Sequence, residues 1–134
     1  METSKRLFII LSLILVSANI DAQKKRTDWI NGTWRGTGFQ LDNSTSWSIQ
    51  FLANNKVKTF QIDYGTLNCS GIWEVLKIDD NQAKFTERIT KGKDKCLDGS
   101  IIIITRVSEN YVSYSCFSSN GKKLDACSTL EKVN

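Results

Sequence analysis

From Thr33 onward, apolar and polar residues alternate in short runs. Trp47, Ile49 and Phe51 fall on one face, with Ser46, Ser48 and Gln50 opposite; Phe60, Ile62 and Tyr64 oppose Thr59, Gln61 and Asp63. Ala83, Phe85, Glu87 and Ile89 share a face, with Lys84, Thr86, Arg88 and Thr90 behind it. A period of two is the signature of a half-buried strand. Eight such strands are predicted: Thr33–Gln40, Ser46–Ala53, Val57–Tyr64, Gly71–Ile78, Ala83–Thr90, Ser100–Val107, Tyr111–Phe117 and Leu124–Val133. Ile101–Ile104 is apolar on both faces and is expected to be the most enclosed. Turn-forming stretches separate the runs, among them Asp42-Asn43-Ser44, Asn54-Asn55, Asp79-Asp80-Asn81 and Lys91–Gly99. No long helical period is present; Asp28-Trp29-Ile30 suits a single turn. Strands joined by short turns predict an all-β, eight-stranded antiparallel meander, whose exposed edges vanish if it closes into a barrel. The chain has no Pro, consistent with strands that use every backbone donor.

Glycines at positions 32, 36 and 38 leave the first strand thinly covered after Trp34, so it can bend sharply or admit a close neighbour. Gly32-Thr33-Trp34 resembles the Gly-x-Trp opening of lipocalin and avidin-like barrels, where a Trp closes the barrel floor. This resemblance tilts the expectation toward a small lipocalin-like barrel over a sandwich.

The N-terminus reads as a secretion signal. Lys5 and Arg6 precede an apolar stretch, Leu7–Val16, too short to span a bilayer. Cleavage is expected after Ala22, with Ala18 the alternative, so residues 1–22 are the signal and 23–134 one domain. No Cys follows the apolar stretch to carry a lipid anchor. The expected location is therefore secreted or periplasmic. Processing would remove two basic residues (Lys5, Arg6) and two acidic ones (Glu2, Asp21), leaving the net charge at +4. The basic residues are scattered, which speaks against nucleic acid as a partner.

Four cysteines in such a chain point to disulfides. Cys116 and Cys127 flank a hairpin with Asn120-Gly121 at its turn, and Cys69 and Cys96 fall at one end of the sheet. The expected pairs are Cys69–Cys96 and Cys116–Cys127, each contributing about 2–4 kcal/mol. Zinc or dithiol redox chemistry would call for Cys-x-x-Cys or His, and neither occurs. No metal or cofactor is expected.

A longer pattern is more specific. Tyr64-Gly65-Thr66-Leu67-Asn68-Cys69-Ser70-Gly71 is followed by Glu87-Arg88-Ile89 with Gly92, then Cys96-Leu97-Asp98-Gly99. This resembles a small extracytoplasmic bacterial domain, found alone in secreted proteins or lipoproteins and appended to the outside of bacterial serine/threonine kinases. The family pattern is Tyr-Pro-x-Leu-x-Cys-x-Gly, Glu-x-Ile-x-x-Gly and Cys-x-x-Gly, with Gly65 here in place of Pro. The match spans about Thr33 to Val107 and excludes Cys116 and Cys127. It implies a secreted β-barrel or sensor-like module and no reaction.

Glu87 is the most informative single residue, a carboxyl among apolar neighbours that must be paired, hydrogen-bonded or neutral. Arg106, sharing a face with Ile102 and Ile104, is its expected partner, either as a buried structural pair or as a polar anchor for a ligand. Glu74 is placed with Ile72, Leu76 and Ile78, so a Glu74/Glu87 carboxyl pair of the glycosidase kind is conceivable. With no His, a conventional nucleophilic triad is excluded, and no phosphate loop is present. Trp34, Trp47, Trp73, Phe60 and Tyr64 suit core filling, or stacking on a flat ligand where exposed. Lys91, Lys93 and Lys95 form a basic loop beside Cys96, a surface for protein contact. The Asn-x-Ser/Thr triplets at Asn31, Asn43 and Asn68 would be glycan sites only in a eukaryotic secretory pathway.

Together these features predict a monomeric, non-catalytic secreted module without a membrane span. Its barrel mouth or interior would hold an unknown small molecule, with Trp47, Phe60, Ile62 and Phe85 as walls and Glu87 and Arg106 as anchors. The alternative is a protein-interaction module, such as an inhibitor of an envelope enzyme or an immunity-type protein, acting through its stapled loops.

Overall fold

The computed structural model describes residues 26–133. The signal-peptide expectation, with its cleavage sites at Ala18 and Ala22, lies outside the described residues. Eight strands follow in chain order: β1 (Gly32–Gln40), β2 (Ser46–Ala53), β3 (Thr59–Tyr64), β4 (Cys69–Ile78), β5 (Gln82–Lys91), β6 (Ile101–Arg106), β7 (Tyr111–Phe117) and β8 (Leu124–Val133). Each pairs antiparallel with the next, and β8 returns to β1, so the sheet closes into a barrel with no free edge. The predicted meander and the single turn at Asp28–Ile30 are both present, the latter as a 3-10 helix.

Alternation explains the interior. Trp47, Ile49, Phe51 and Ala53 of β2 are buried, and so are Phe60, Ile62 and Tyr64 of β3 and Ala83, Phe85, Glu87 and Ile89 of β5. In β6, Ile102 and Ile104 are fully enclosed, whereas Ile101 and Ile103 are only half-buried. On β1 the inward positions after Trp34 are Gly36 and Gly38, opposite Ile49 and Trp47. A Cβ on Gly38 would lie 2.3 Å from the Trp47 ring, so the missing side chain is what lets that indole lie across the barrel.

Three register shifts reset the pleat; at the first, Ser70 pairs with Lys91 and Gly71 with Ile89, leaving Thr90 as an extra residue of β5. In β4, Val75 pairs with Phe85 and Lys77 with Lys84, leaving Leu76 as an extra residue. Inward residues are therefore Trp73 and Val75 before the bulge and Ile78 after it, and Glu74 faces outward to pair with Arg88 at 3.0 Å. Glu74 does share a face with Ile72, as expected, but that face is the outer one and Ile78 has been turned inward, so the expected Glu74/Glu87 pair does not form. The third register shift lies in the β7–β8 hairpin. Phe117 pairs with Leu124, but Cys116 pairs with Ala126 and Ser115 with Cys127. Cys116 points inward and Cys127 outward, so the expected Cys116–Cys127 disulfide is absent and both thiols are free. The Cys69–Cys96 disulfide is present, between Cα atoms 6.3 Å apart.

The barrel is closed at one end. Ile30 and Trp29, in the 3-10 helix, lie beneath Trp34, whose indole donates to the Ile30 carbonyl at 2.7 Å. The Trp29 indole donates to the Asp79 carbonyl in the β4–β5 turn at 2.8 Å. Asn55, in the β2–β3 turn, latches the segment: its amide donates to Thr27 Oγ1 at 2.8 Å and Asp28 Oδ1 at 2.7 Å. Above this plug, Trp73 stands among Phe51 and Phe85, with ring centroids 4.8 and 5.3 Å away. Burial of each such side chain contributes about 1.5–3 kcal/mol, with aromatic contacts adding to it.

Candidate functional site

At the opposite end, the barrel holds a pocket of about 240 Å³. Trp47, Tyr64 and Tyr114 form its aromatic wall, and Glu87, Ser100 and Cys116 reach it from β5, the β5–β6 loop and β7. Lys95, Cys96 and Leu97 form one side of the rim, on the loop that the Cys69–Cys96 bridge ties to the start of β4. An apolar cavity of about 150 Å³ holds benzene, so this space suits a single substituted ring or an end of a larger molecule.

Glu87 is the chemical centre. It is 4% exposed, and Tyr64 Oη donates a short hydrogen bond to its Oε2. The Trp73 indole, directly across the strand pair, donates to the same oxygen at 2.8 Å. Tyr114 Oη lies 3.2 Å from Tyr64 Oη. Tyr64 has one hydroxyl proton, committed to Glu87, so Tyr114 donates to Tyr64 and the donors form a chain ending at the carboxyl. Burial pushes the Glu87 carboxyl above its ordinary value of 4.5, with help from the nearby Asp98; the Tyr64 and Trp73 hydrogen bonds oppose the rise. Burial, followed by the Glu87 charge, drives the Tyr64 hydroxyl well above the ordinary tyrosine value.

A carboxyl whose proton is held more tightly in the folded state keeps it there after the unfolded chain has released its own. The stability this contributes is complete below the unfolded pKa and is lost as pH rises through the folded one. Relative to Glu87→Gln, the native protein should therefore lose stability between pH 4 and 8, by about 1.4 kcal/mol for each tenfold by which folding weakens Glu87 as an acid. Urea unfolding of both proteins at pH 4, 6 and 8 measures this, and parallel pH profiles would show that Glu87 does not titrate differently on folding.

Cys116 borders the same pocket with its thiol pushed up to about 11, chiefly by burial. At pH 8 only about one thiol in a thousand would be ionised. Iodoacetamide should leave Cys116 unmodified in the native protein and alkylate it after denaturation; rapid native labelling, located by peptide mass spectrometry, would contradict its burial.

The structure sorts the residues singled out from the sequence. Trp47 and Glu87 come together in the pocket. Phe60 and Phe85 pack against each other in the filled core, their centroids 5.2 Å apart, and do not border it. Arg106 is exposed at the closed end, where its backbone N–H donates to Asn81, so the expected Glu87–Arg106 pair does not form. The inward alternation of β6 holds only through Ile104, because the strand ends at Arg106 and the chain turns out to solvent. Lys91, Lys93 and Lys95 are exposed, with Lys95 alone at the pocket rim. The partners that Glu87 does use, Tyr64 and Trp73, are both aromatic residues able to carry a polar handle inward, a signal the sequence contains.

No protein-family model and no curated protein matches the chain. Among solved structures it is similar to a redesigned β-barrel, with a TM-score of 0.57 and 14% identity, over 81% of this chain and 96% of that one. At that identity the likeness shows the closed β-barrel fold alone. Among the described residues, no helix is long and apolar enough to cross a membrane, and no group of three or more His, Cys, Asp or Glu residues is placed to hold a metal ion. Depressions on the outer wall, such as that between Gln50, Leu52, Gln61 and Ile72, contain no buried ionisable group.

Proposed function

We propose that this chain is a secreted or periplasmic, non-catalytic binding module that takes a small molecule into the open end of a lipocalin-like barrel. One observation carries the reading: an ionisable side chain, Glu87, is buried at the inner wall of a pocket walled by Trp47, Tyr64 and Tyr114 and rimmed by polar residues. A few convergent polar groups in an apolar recess are the usual make-up of a ligand site. Structure-only roles for Glu87 are served better by an apolar residue, since a buried carboxyl costs desolvation and its bonds return only part of that cost. The Cys69–Cys96 disulfide and the signal-like N-terminus support an extracytoplasmic location, as does the resemblance to the bacterial extracytoplasmic domain.

The test is a fragment screen read by amide and indole NMR shifts. Binders should move Trp47, Ser100 and Leu97 together. Fragments that shift only outer-wall residues, or none that bind at millimolar concentration, would overturn the reading. The stapled loop supports a second reading as a protein-contact module. Leu97 is 72% exposed beside Lys95, an arrangement that suits a partner surface. Under that reading, Lys91→Glu with Lys93→Glu, on the same loop but outside the pocket lining, would abolish partner capture while leaving fragment binding intact.

A further inference from the structure

Resting on the pocket reading, the donor count in the site points to the class of ligand. The indole and phenol donors around Glu87 are already spent on Oε2: Tyr64 and Trp73 directly, and Tyr114 through Tyr64; the Ser100 hydroxyl, also at the pocket wall, lies within hydrogen-bonding reach of the Cys116 sulfur. Oε1 accepts no hydrogen bond among the described residues. Yet no fully enclosed side-chain oxygen or nitrogen there is without a partner, and Glu87 borders the pocket. Oε1 therefore opens onto that space. What the inner wall offers a guest is an acceptor, Glu87 Oε1, with a further lone pair on Tyr114 Oη. Around it stand the rings of Trp47, Tyr64 and Tyr114, in edge-to-face contact at 5.1 and 6.1 Å from the indole. Aromatic faces attract cations and offer nothing to an anion.

We infer that the ligand is a small organic ammonium: a primary amine on a compact apolar or aromatic body, its N–H donors on Glu87 Oε1 and its body against Trp47. An ammonium satisfies the open oxygen and neutralises a charge that is otherwise costly to bury. A carboxylate ligand would set two negative charges together, and a neutral alcohol would satisfy the acceptor without compensating its charge. Proton and ligand compete for one atom: Oε2 already accepts two hydrogen bonds, so a proton on Glu87 sits on Oε1. The other charged groups around the pocket are Asp98 and Lys95 on the β5–β6 loop and Asp125 at the start of β8. Asp98 accepts from the Ile89 amide at 2.8 Å, and Asp125 pairs with Lys123 at 3.6 Å. Lys95 is exposed at the rim, so its ammonium opposes a cationic guest weakly.

The experiment titrates the oxidised protein with three probes of one shape, 2-phenylethylamine, 2-phenylethanol and phenylacetate, by calorimetry and Trp47 indole shift. At pH 8 the amine should bind at least tenfold more tightly than the alcohol, and phenylacetate most weakly. Glu87→Gln should level amine and alcohol. In the native protein, amine affinity should fall about tenfold per pH unit below the Glu87 titration, and alcohol affinity should not; Asp125→Asn should keep that profile. This second readout stands if Glu87→Gln fails to fold. Amine and alcohol binding equally at Trp47 would overturn the ammonium assignment and leave the pocket reading standing. Failure of all three probes at millimolar concentration would overturn both. Amine binding seen only in Lys95→Ala would also overturn the assignment, since the occupant would then be the protein's own lysine.

Discussion

Replacing Cys69 and Cys96 together by alanine should lower the unfolding free energy by about 3.5 kcal/mol, the chain-entropy value for the 27-residue separation they close. For a domain of this size, that corresponds to a fall in Tm of about 15–25 °C. The double variant is the cleaner test, because reduction alone leaves a thiol at Cys69, which is 1% exposed and packed in the core. The bridge ties the first residue of β4 to the β5–β6 loop, so it restrains the segment that carries Lys95 and Leu97 along the pocket rim. That loop has other anchors. Glu87 and Gly99 donate to the carbonyls of Ser100 and Glu87, and the Ile89 amide donates to Asp98. These bonds hold the base of the loop and leave its tip to the disulfide. A Tm change of only a few degrees, read by circular dichroism, would mean that the base alone fixes the loop. The expected large fall should be accompanied by weaker binding of any pocket ligand, because the variant must order the rim at the moment of binding.

The strand pattern is legible in the sequence because burial on one face imposes a period of two. Glu87 on the Phe85–Ile89 face can be read directly, since no bulge interrupts that stretch. Expectation and structure part where the pleat is reset. The extra residue Leu76 moves Ile78 to the inner face without moving Glu74, so counting by twos from Ile78 puts Glu74 on the wrong side. In the β7–β8 hairpin, the Phe117–Leu124 pairing would set Cys116 opposite Asp125, and the irregularity beside it moves Cys116 only to Ala126, one residue short of Cys127. A displacement of one residue turns a cross-strand cysteine pair into two thiols on opposite sheet faces. Cross-strand partners are harder still. That Trp73 faces Glu87 depends on the β4–β5 register, which the turn at Asp79–Asn81 and the bulge set jointly. Tyr114 needs only the alternation of Val112, Tyr114 and Cys116, a signal that the sequence carries in full.

Trp34→Ala should cost about 3–5 kcal/mol, the range for truncating a large buried aromatic side chain. Trp34 is fully enclosed, stacks toward Phe51 at 6.4 Å, and lies beneath the Lys132 ammonium, 5.1 Å from the ring centroid. Removal empties the closed end and frees the Ile30 carbonyl that its indole now holds. Trp34→Phe separates these effects: it keeps most of the volume and loses the hydrogen bond, so about 1–2 kcal/mol is expected. Equal losses in the two variants by urea unfolding would show that the hydrogen bond to Ile30 outweighs the packing. Neither change should weaken ligand binding at pH 8 in material that remains folded, because Trp73, Phe51 and Phe85 fill the barrel between Trp34 and the pocket. Glu87 takes its hydrogen bonds from Tyr64 and Trp73 and none from the plug. A folded Trp34→Ala protein that has lost ligand affinity would therefore reveal coupling between the two ends, carried through the Phe51–Trp73 contact, the packed link between the plug and the carboxyl.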